Sequence, residues 1–281
     1  MAPYGARPDA FPDLTGFPIP DVPMSSPYAT QAPSAQQTLD LFKGKWASRM
    51  PGSLGNVEAG HAALFEDPRV DWAAAKLGEL GIAVADSTVL EVGPLEGGHT
   101  HGLIRLGAKS VTAVEAHPEA YLKCLLVKEL LGIERVNFLY GDAVPFLRAI
   151  GHDYDVGFAC GFLYHMANPV EFLELLCRRT RAVFLWTVYW DEKFNAANPG
   201  SAAGTSGVSE HEHAGLRHTL HRHDYGGGIN YGKFWGGPEA HANWMEKDDI
   251  LGALAHFGFG RQIVELEANP NGSALRLVAA R

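Results

Sequence analysis

From residue 88 onward, short runs rich in β-branched and aromatic residues alternate with amphipathic helical segments. This alternation is typical of a parallel sheet whose strands are joined by crossover helices. The predicted strands are TVLEV, SVTAVEA, RVNFLY, YDVGFAC and RAVFLWTVYW. Near the end of the chain, RQIVELE and SALRLVAAR flank ANPNG and predict a hairpin. The sequence therefore predicts an α/β, Rossmann-like sheet with helices on both faces.

The segments before and within this core differ from it in composition. Residues 1–37 hold eight of the 17 prolines and have no sustained hydrophobic period, which predicts a Pro-rich arm or disordered leader. Residues 38–80 contain short stretches with helical hydrophobic spacing and predict an N-terminal helical cap. Residues 81–281 are the predicted main domain. Within it, the stretch at about 191–244 is rich in Gly, His and aromatic residues and favours a lid-like insertion after strand 5.

Charge and composition narrow the partners. A net charge of −9 and a pI of 5.8 make nucleic acid an unlikely partner, because that binding relies on Lys and Arg. The N-terminus lacks an apolar signal region, and no run approaches the roughly 18 apolar residues of a membrane span. Three cysteines without a CxxC pair fit a reducing compartment. We therefore expect a cytoplasmic protein with no membrane association and a small-molecule partner; the oligomeric state stays open, a homo-oligomer included.

The first predicted strand runs into a glycine-rich turn, VLEVGPLEGGHTH. A dinucleotide fingerprint would need a second glycine where Leu95 stands, so the pattern is instead Glu91-x-Gly93-x-x-x-Gly97 followed by Gly98. Glycines let a backbone approach a ligand closely, and a helix start presents free N–H groups. The turn alone is a weak signal of a nucleotide site.

Acidic residues strengthen that signal at the ends of the next two strands. Glu115 ends the second strand, where a carboxylate can accept hydrogen bonds from ribose hydroxyls, and Asp142 follows the third. Because the carboxyl ends of parallel strands share one edge of the sheet, these features predict one binding crevice.

The runs VLEVGPLEGG, VTAVEA, NFLYGDA and FACGFLYHMANPVEFLELL together resemble class I S-adenosylmethionine-dependent methyltransferases. Within that class, the chain is similar to the group related to the wobble-uridine tRNA carboxymethyltransferases, whose fourth strand also leads into Leu-Tyr-His before a Pro-started helix. The resemblance implies a seven-stranded, mostly parallel sheet with a terminal antiparallel hairpin, and S-adenosylmethionine as the cofactor. The residues implied to bind the cofactor are Glu91, Gly93, Gly97, Gly98, Glu115, Ala116, Asp142, Ala143 and Gly161.

The chain also departs from the tRNA-modifying group, because it is acidic and carries a His-rich insertion. We therefore expect an enzyme that transfers a methyl group to O or N of a small molecule, such as a sugar or secondary metabolite. Two alternatives stay open, namely a tRNA-modifying (carboxy)methyltransferase and a non-catalytic cofactor-binding partner.

Histidines supply the candidate bases. His165 follows the fourth strand, where the acceptor should meet the methyl group, and a neutral imidazole can take a proton. His221 and His223 of the insertion are further catalytic candidates. Packing at the strand end is the alternative for His165. His99 and His101 lie two residues apart at a helix start, so they make a poor metal pair, and a capping or cofactor-side role is expected.

The insertion contains a second cluster, EHEHAGLRHTLHRHDYGGG. Alternate spacing would put pairs of imidazoles on one face of a strand, which a divalent metal site could use. The candidate ligands are His211, His213, His221, His223 and Asp224, with a solvated polar loop as the alternative. Aromatic residues also predict an acceptor pocket, and the candidates are Tyr164, Tyr189, Tyr225 and Trp235. Trp46 could close over the cofactor or pack in the core.

Overall fold

The computed structural model describes residues 28–198, 204–225, 230–231, 234–235, 237, 239–269 and 272–281. The chain separates into two units, Met1–Pro33 and Ser34–Arg281, and the helices and strands of the described residues belong to the second. The Pro-rich arm of residues 1–37 therefore falls mostly outside the described residues.

Eight helices and twelve strands are present in the described part of the chain. The helices are α1 (Ala35–Asp40), α2 (Pro68–Glu79), α3 (Gly98–Arg105), α4 (Pro118–Leu130), α5 (Ala143–Ala149), α6 (Pro169–Arg179), α7 (Glu192–Ala197) and α8 (Lys247–His256). The strands are β1 (Thr88–Val92), β2 (Ser110–Glu115), β3 (Val136–Tyr140), β4 (Tyr154–Cys160), β5 (Thr180–Val188), β6 (Thr205–His213), β7 (Leu216–Asp224), β8 (Asn230–Tyr231), β9 (Phe234–Trp235), β10 (His241–Met245), β11 (Arg261–Asn269) and β12 (Gly272–Ala280). Short 3-10 turns cover Gly52–Leu54, Leu64–Glu66 and Leu163–His165.

Seven strands form the main sheet, in the order β11-β12-β5-β4-β1-β2-β3. The first five strands along the chain pair in parallel, while β12 runs antiparallel to both β5 and β11. The predicted seven-stranded, mostly parallel sheet with a terminal hairpin is therefore confirmed. Strand order reverses beside β1, whose neighbours are β2 and β4, and ligands of open α/β sheets bind at such a point.

Two buried clusters cover the faces of the sheet. The first includes apolar residues of α2, α3 and α4, and it takes in Trp46 from the segment ahead of the sheet. The second includes residues of α5, α6 and α8. Strand β4 contributes Phe158 to the first cluster and Ala159 to the second, because alternate side chains of a strand point to opposite faces.

The His-rich stretch folds as a small antiparallel sheet in the order β10-β7-β6. Strand β6 is exposed along most of its length, so both of its faces carry polar residues and the sequence shows no apolar alternation there. Helix α8 begins at Lys247, because Trp244 and Met245 pair with β7 as part of β10. No helix in the described ranges is long and apolar enough to cross a membrane.

Candidate active site

Acidic side chains meet at one edge of the main sheet. Glu91 lies one residue before the end of β1, Glu115 ends β2, and Asp142 follows β3 by two residues. The parallel registers of β1 with β2 and of β2 with β3 set these strand ends side by side. The arrangement sets these three residues side by side next to the glycine turn, where the sequence predicts a cofactor crevice.

The glycine turn contains three left-handed residues. Gly93, Leu95 and Gly97 have φ angles of 67°, 56° and 79°. The backbone N–H of Leu95 donates to the Glu115 carboxylate at 3.1 Å. Leu95 thus takes the conformation that a glycine usually supplies, although a left-handed backbone costs a β-carbon-bearing residue about 1–2 kcal/mol. This contact joins the turn directly to the end of β2.

Glu91 is buried without a cationic partner among the described residues. Its side chain accepts a hydrogen bond from the Thr100 hydroxyl in α3, and the residue is 1% exposed. Burial raises the pKa of Glu91 to about 8, and the negative charge of Glu115 adds to this rise. A buried carboxyl of this kind favours a cationic ligand group at its side.

The other predicted cofactor residues of the crevice keep their backbone contacts. The Glu115 carboxylate also accepts from the His117 backbone N–H at 2.8 Å. Burial raises the pKa of Glu115, although its backbone hydrogen bonds act in the opposite direction. One Asp142 oxygen caps α5 by accepting from Val144 N–H at 2.8 Å. Ala116 is exposed and Ala143 is buried. The carboxylates retain lone pairs for a ligand, and the cofactor roles of all these residues stay predictions.

Close packing against the Leu64 backbone explains why a glycine stands at position 98. A β-carbon at this position would lie 2.7 Å from the carbonyl carbon and oxygen of Leu64. The chain ahead of α2 therefore approaches the start of α3 closely enough to require glycine there.

We expect Gly98→Ala to lower the free energy of unfolding by about 1–3 kcal/mol, because the backbone of Leu64 must move. The matched control is Gly252→Ala in α8, where a β-carbon meets nothing within 4 Å. That change should raise stability by about 0.5–1 kcal/mol, since alanine favours a helix interior. Chemical denaturation measures both, and equal stability of the two variants would contradict the close approach.

A buried ion pair fastens the segment ahead of the sheet to the same turn. Glu96 and Lys123 both have 0% side-chain exposure, and their charged atoms lie 3.1 Å apart. Glu96 also accepts from the backbone N–H groups of Ala47 and Ser48 at 3.0 and 2.7 Å. Trp46 packs in the core and donates to a backbone carbonyl, so the structure favours its packing role.

The predicted reaction floor lies at the end of β4. Gly161 is left-handed, with φ of 75°, and a β-carbon at this position would lie 3.7 Å from the Tyr164 hydroxyl and 3.9 Å from the Trp186 ring. Tyr164 is partly buried, and burial of its hydroxyl raises the pKa of that group. Its ring lies 4.1 Å from that of His165, centroid to centroid.

His165 and Tyr225 are brought together, as candidates for one site should be. The Nδ1 atom of His165 lies 2.9 Å from the Tyr225 hydroxyl, and burial lowers the pKa of His165 to about 4. His223 lies nearby and stacks on Trp244, with ring centroids 4.8 Å apart. Its Nδ1 is buried without a hydrogen-bond partner in the described part of the chain. His221 is separate, because it stacks on Trp190 and bonds to Glu246.

The metal candidates of the insertion do not converge. His211 stacks on His218, His213 lies 2.7 Å from Glu174 of α6, and Asp224 pairs with Arg222. Among the described residues, they form no group of three ligand atoms close enough to share an ion. The alternate spacing does place histidines on common strand faces, but each of these histidines contacts a different neighbouring side chain.

The remaining pocket candidates lie elsewhere. Tyr189 packs in the second core cluster, whereas Tyr164 and Tyr225 pack against the first. The structure therefore does not bring Tyr189 to their pocket. The Trp235 side chain lies outside the described residues.

Sequence reasoning missed one polar cluster, formed by Asp67, Arg69, His99 and Cys160. Ligand-type atoms of Asp67, His99 and Cys160 lie within 4.8 Å of one another, as metal ligands would. However, Arg69 already donates to both Asp67 oxygens at 2.5–2.9 Å. A guanidinium in that position opposes a second cation, so we interpret the group as a hydrogen-bonded network. The Asp-Pro pair at 67–68, a helix-start signal, could have identified Asp67.

No protein-family model and no curated protein sequence matches the chain, whereas many solved structures share its fold. The N-terminal domain of EvdMO1, crystallised with SAH and D-fucose, has a TM-score of 0.63 and 19% identity, covering 88% of this chain and 94% of that one. Magnesium protoporphyrin IX methyltransferase (ChlM) from Synechocystis PCC 6803, with bound SAH, has a TM-score of 0.54 and 16% identity, covering 78% and 84%. The chain has the fold of S-adenosylmethionine-dependent methyltransferases.

A third structure extends the comparison. The 1,6-didemethyltoxoflavin-N1-methyltransferase of Burkholderia thailandensis, with bound 1,6-didemethyltoxoflavin and S-adenosylhomocysteine, has a TM-score of 0.50 and 15% identity, covering 78% of each chain. At these identities the methyltransferase fold is what the chains share. Glu91, Glu115 and Asp142 lie at the carboxyl ends of the parallel strands, which is where open α/β sheets generally bind ligands.

Proposed function

We propose that this protein is an S-adenosylmethionine-dependent methyltransferase that acts on O or N of a small-molecule acceptor. The observation that carries the proposal is the crevice itself, where a left-handed glycine turn bonds to Glu115 beside the buried carboxyl of Glu91. The neighbouring structures with bound SAH have the same fold, which supports the same cofactor here.

The residues present fit this cofactor. Glu91 lacks a cationic partner among the described residues, and an amino-acid ammonium group would supply one. Glu115 would hold the ribose hydroxyls and Asp142 the adenine amine, while the left-handed backbone at Gly161 would lie beside the methyl group. When bound, the cofactor supplies an electrophilic methyl group. The protein's part is to hold two reactants in line, which lowers the entropic barrier of the transfer.

The acceptor side of the crevice favours a small molecule. The walls near Gly161 are formed by Tyr164, Trp186 and the 3-10 turn at Leu163–His165, and Tyr225 reaches them from the insertion. Aromatic walls with few polar groups are typical of small-molecule sites. The three neighbouring proteins include enzymes named for a porphyrin and a toxoflavin precursor.

The alternative of a tRNA-modifying enzyme follows from the sequence resemblance. The net charge of −9 opposes it, because tRNA binding draws its affinity from neutralised phosphates. A non-catalytic cofactor-binding partner is the second alternative, and it differs only in the absence of turnover.

The test is a turnover assay that detects S-adenosylhomocysteine. The purified protein is incubated with S-adenosylmethionine and, in turn, a panel of sugars and aromatic metabolites, or bulk tRNA at low and high salt. The proposal expects product with a member of the small-molecule panel and none above background with tRNA. Salt-sensitive tRNA binding with turnover would support the first alternative, and cofactor binding without turnover of any acceptor would support the second.

A further inference from the structure

The polar cluster of Asp67, Arg69, His99 and Cys160 adjoins the predicted reaction floor. Cys160 is the last residue of β4 and precedes Gly161. The Arg69 guanidinium lies over the Trp186 ring at 4.5 Å, and a β-carbon on Gly161 would contact the same ring at 3.9 Å. The cluster therefore borders the position proposed for the methyl group, and any role of the cluster in the reaction rests on the proposed function.

Asp67 fixes the orientation of His99. The Nε2 atom of His99 lies 2.9 Å from Asp67 Oδ2. Burial alone would raise the pKa of Asp67, but hydrogen bonds from His99 and Arg69 outweigh it and hold that pKa well below its usual range. An ionised carboxylate only accepts hydrogen bonds, so Nε2 must carry the hydrogen. With Nε2 as the donor to Asp67, Nδ1 is the ring nitrogen that can carry a lone pair.

The Nδ1 atom of His99 is the ring nitrogen left without a partner in the described part of the chain. It makes no hydrogen bond within the described residues, and it is not among their enclosed unpaired atoms. The side chain is 10% exposed, at the start of α3 beside the crevice. This is the geometry of a base held by a carboxylate on its far nitrogen.

His165 is less suited to the same task. Its Nδ1 faces the Tyr225 hydroxyl, and burial together with nearby His223 lowers its pKa to about 4. A base this weak takes a proton poorly at neutral pH. We retain His165 as a wall of the site.

The cluster also indicates the chemical class of the acceptor. Asp67 and Arg69 offset each other's charge, and Cys160 is a neutral thiol because burial raises its pKa. Tyr164 and Trp186 add uncharged aromatic surface. An uncharged acceptor avoids the cost of bringing an unpaired ion into such a place.

We propose that His99, oriented by Asp67, accepts the proton of an uncharged hydroxyl acceptor at the end of β4. The acceptor oxygen forms its bond to the methyl carbon as the bond from that carbon to sulfur breaks, and the electron pair of the broken bond stays on sulfur. The hydroxyl proton passes to His99 Nδ1 and then to solvent. Asp67 and Arg69 act as positioning residues for this base.

The first test measures the tautomer of His99 by long-range ¹H–¹⁵N correlation spectroscopy on protein labelled at histidine nitrogens, with saturating S-adenosylhomocysteine. The signal is assigned by its loss in His99→Gln. We expect a protonated Nε2 and an unprotonated Nδ1. A hydrogen on Nδ1 overturns the inference whatever the acceptor is. Failure of S-adenosylhomocysteine to bind the folded protein would instead overturn the proposed function.

The second test uses kinetics. Glutamine at 99 can still donate to Asp67 but offers no base, so His99→Gln should keep the fold and the cofactor affinity while kcat falls about 10²-fold or more. The probes are D-fucose, methyl glycosides and catechol, and KM should change little. His152→Gln is the matched control, since His152 also bonds a side chain, Tyr154, at the opposite end of β4. A kcat for His99→Gln within threefold of wild type, or turnover confined to amines, contradicts the inference.

Discussion

Replacing Lys123 by Met is expected to lower the free energy of unfolding by about 3–5 kcal/mol, because it leaves the Glu96 carboxylate buried without its cation. Both side chains have 0% exposure, and Lys123 also donates to the Lys45 carbonyl at 2.7 Å. Glu96 would keep only two backbone N–H donors. Urea denaturation measures the loss.

Two further variants distinguish the loss of the Glu96–Lys123 ion pair from the loss of an ordinary lysine contact. Lys128→Met in the same helix removes a hydrogen bond of 2.7 Å to the Val136 carbonyl but breaks no ion pair. It should cost only about 1 kcal/mol. Adding Glu96→Gln to Lys123→Met removes the stranded charge and should restore part of the stability. A single Lys123→Met variant as stable as Lys128→Met would contradict the buried pair.

The affinity for S-adenosylhomocysteine is expected to rise about 50-fold between pH 6 and pH 8, if Glu91 must ionise to bind the ligand's ammonium group. Burial raises the pKa of Glu91 to about 8, so the free protein holds this proton at pH 6. Binding then releases it. The released proton is measured as a dependence of the calorimetric enthalpy on buffer ionisation.

The stability of the unliganded protein changes with pH in the opposite direction to the affinity. A carboxyl whose pKa is higher in the folded than in the unfolded state binds more protons when folded, so its contribution lowers stability as pH rises from about 4.5 toward 8. Glu91→Gln should remove both effects, whereas Glu79→Gln at an exposed pair with Lys76 should leave them intact. Affinity that is independent of pH in the wild type would exclude ionised Glu91 as the ammonium partner.

The central sheet could be predicted from sequence because its signals are local. Strands β1 to β5 are short apolar runs bounded by turn residues, and each prediction agrees with the structure to within two residues at either end. The terminal hairpin follows from two such runs around a turn. The resemblance to methyltransferase motifs then predicted the position of the crevice, because those motifs lie at the ends of β1, β2 and β3.

The insertion and the contacts across the site could not be predicted in the same way. Strand β6 has no buried face, so periodicity carries no signal there, and β10 is specified by pairing with β7. Glu96 and Lys123 are 27 residues apart, and Asp67 and His99 are 32 apart. Only the folded chain brings such pairs together. The conformation of Leu95 was also not predictable from sequence. Leu95 adopts a left-handed backbone conformation that glycine usually supplies, and its N–H donates to Glu115.

The most direct measurement is a calorimetric titration of the protein with S-adenosylhomocysteine, repeated on Glu115→Ala. The control is Glu134→Ala, at an exposed position just before β3. We expect micromolar binding by the wild type and by the control, and its loss in Glu115→Ala, with thermal unfolding confirming that all three are folded. Absence of binding by the folded wild type, or undiminished binding by Glu115→Ala, would contradict the assignment of the crevice to this cofactor.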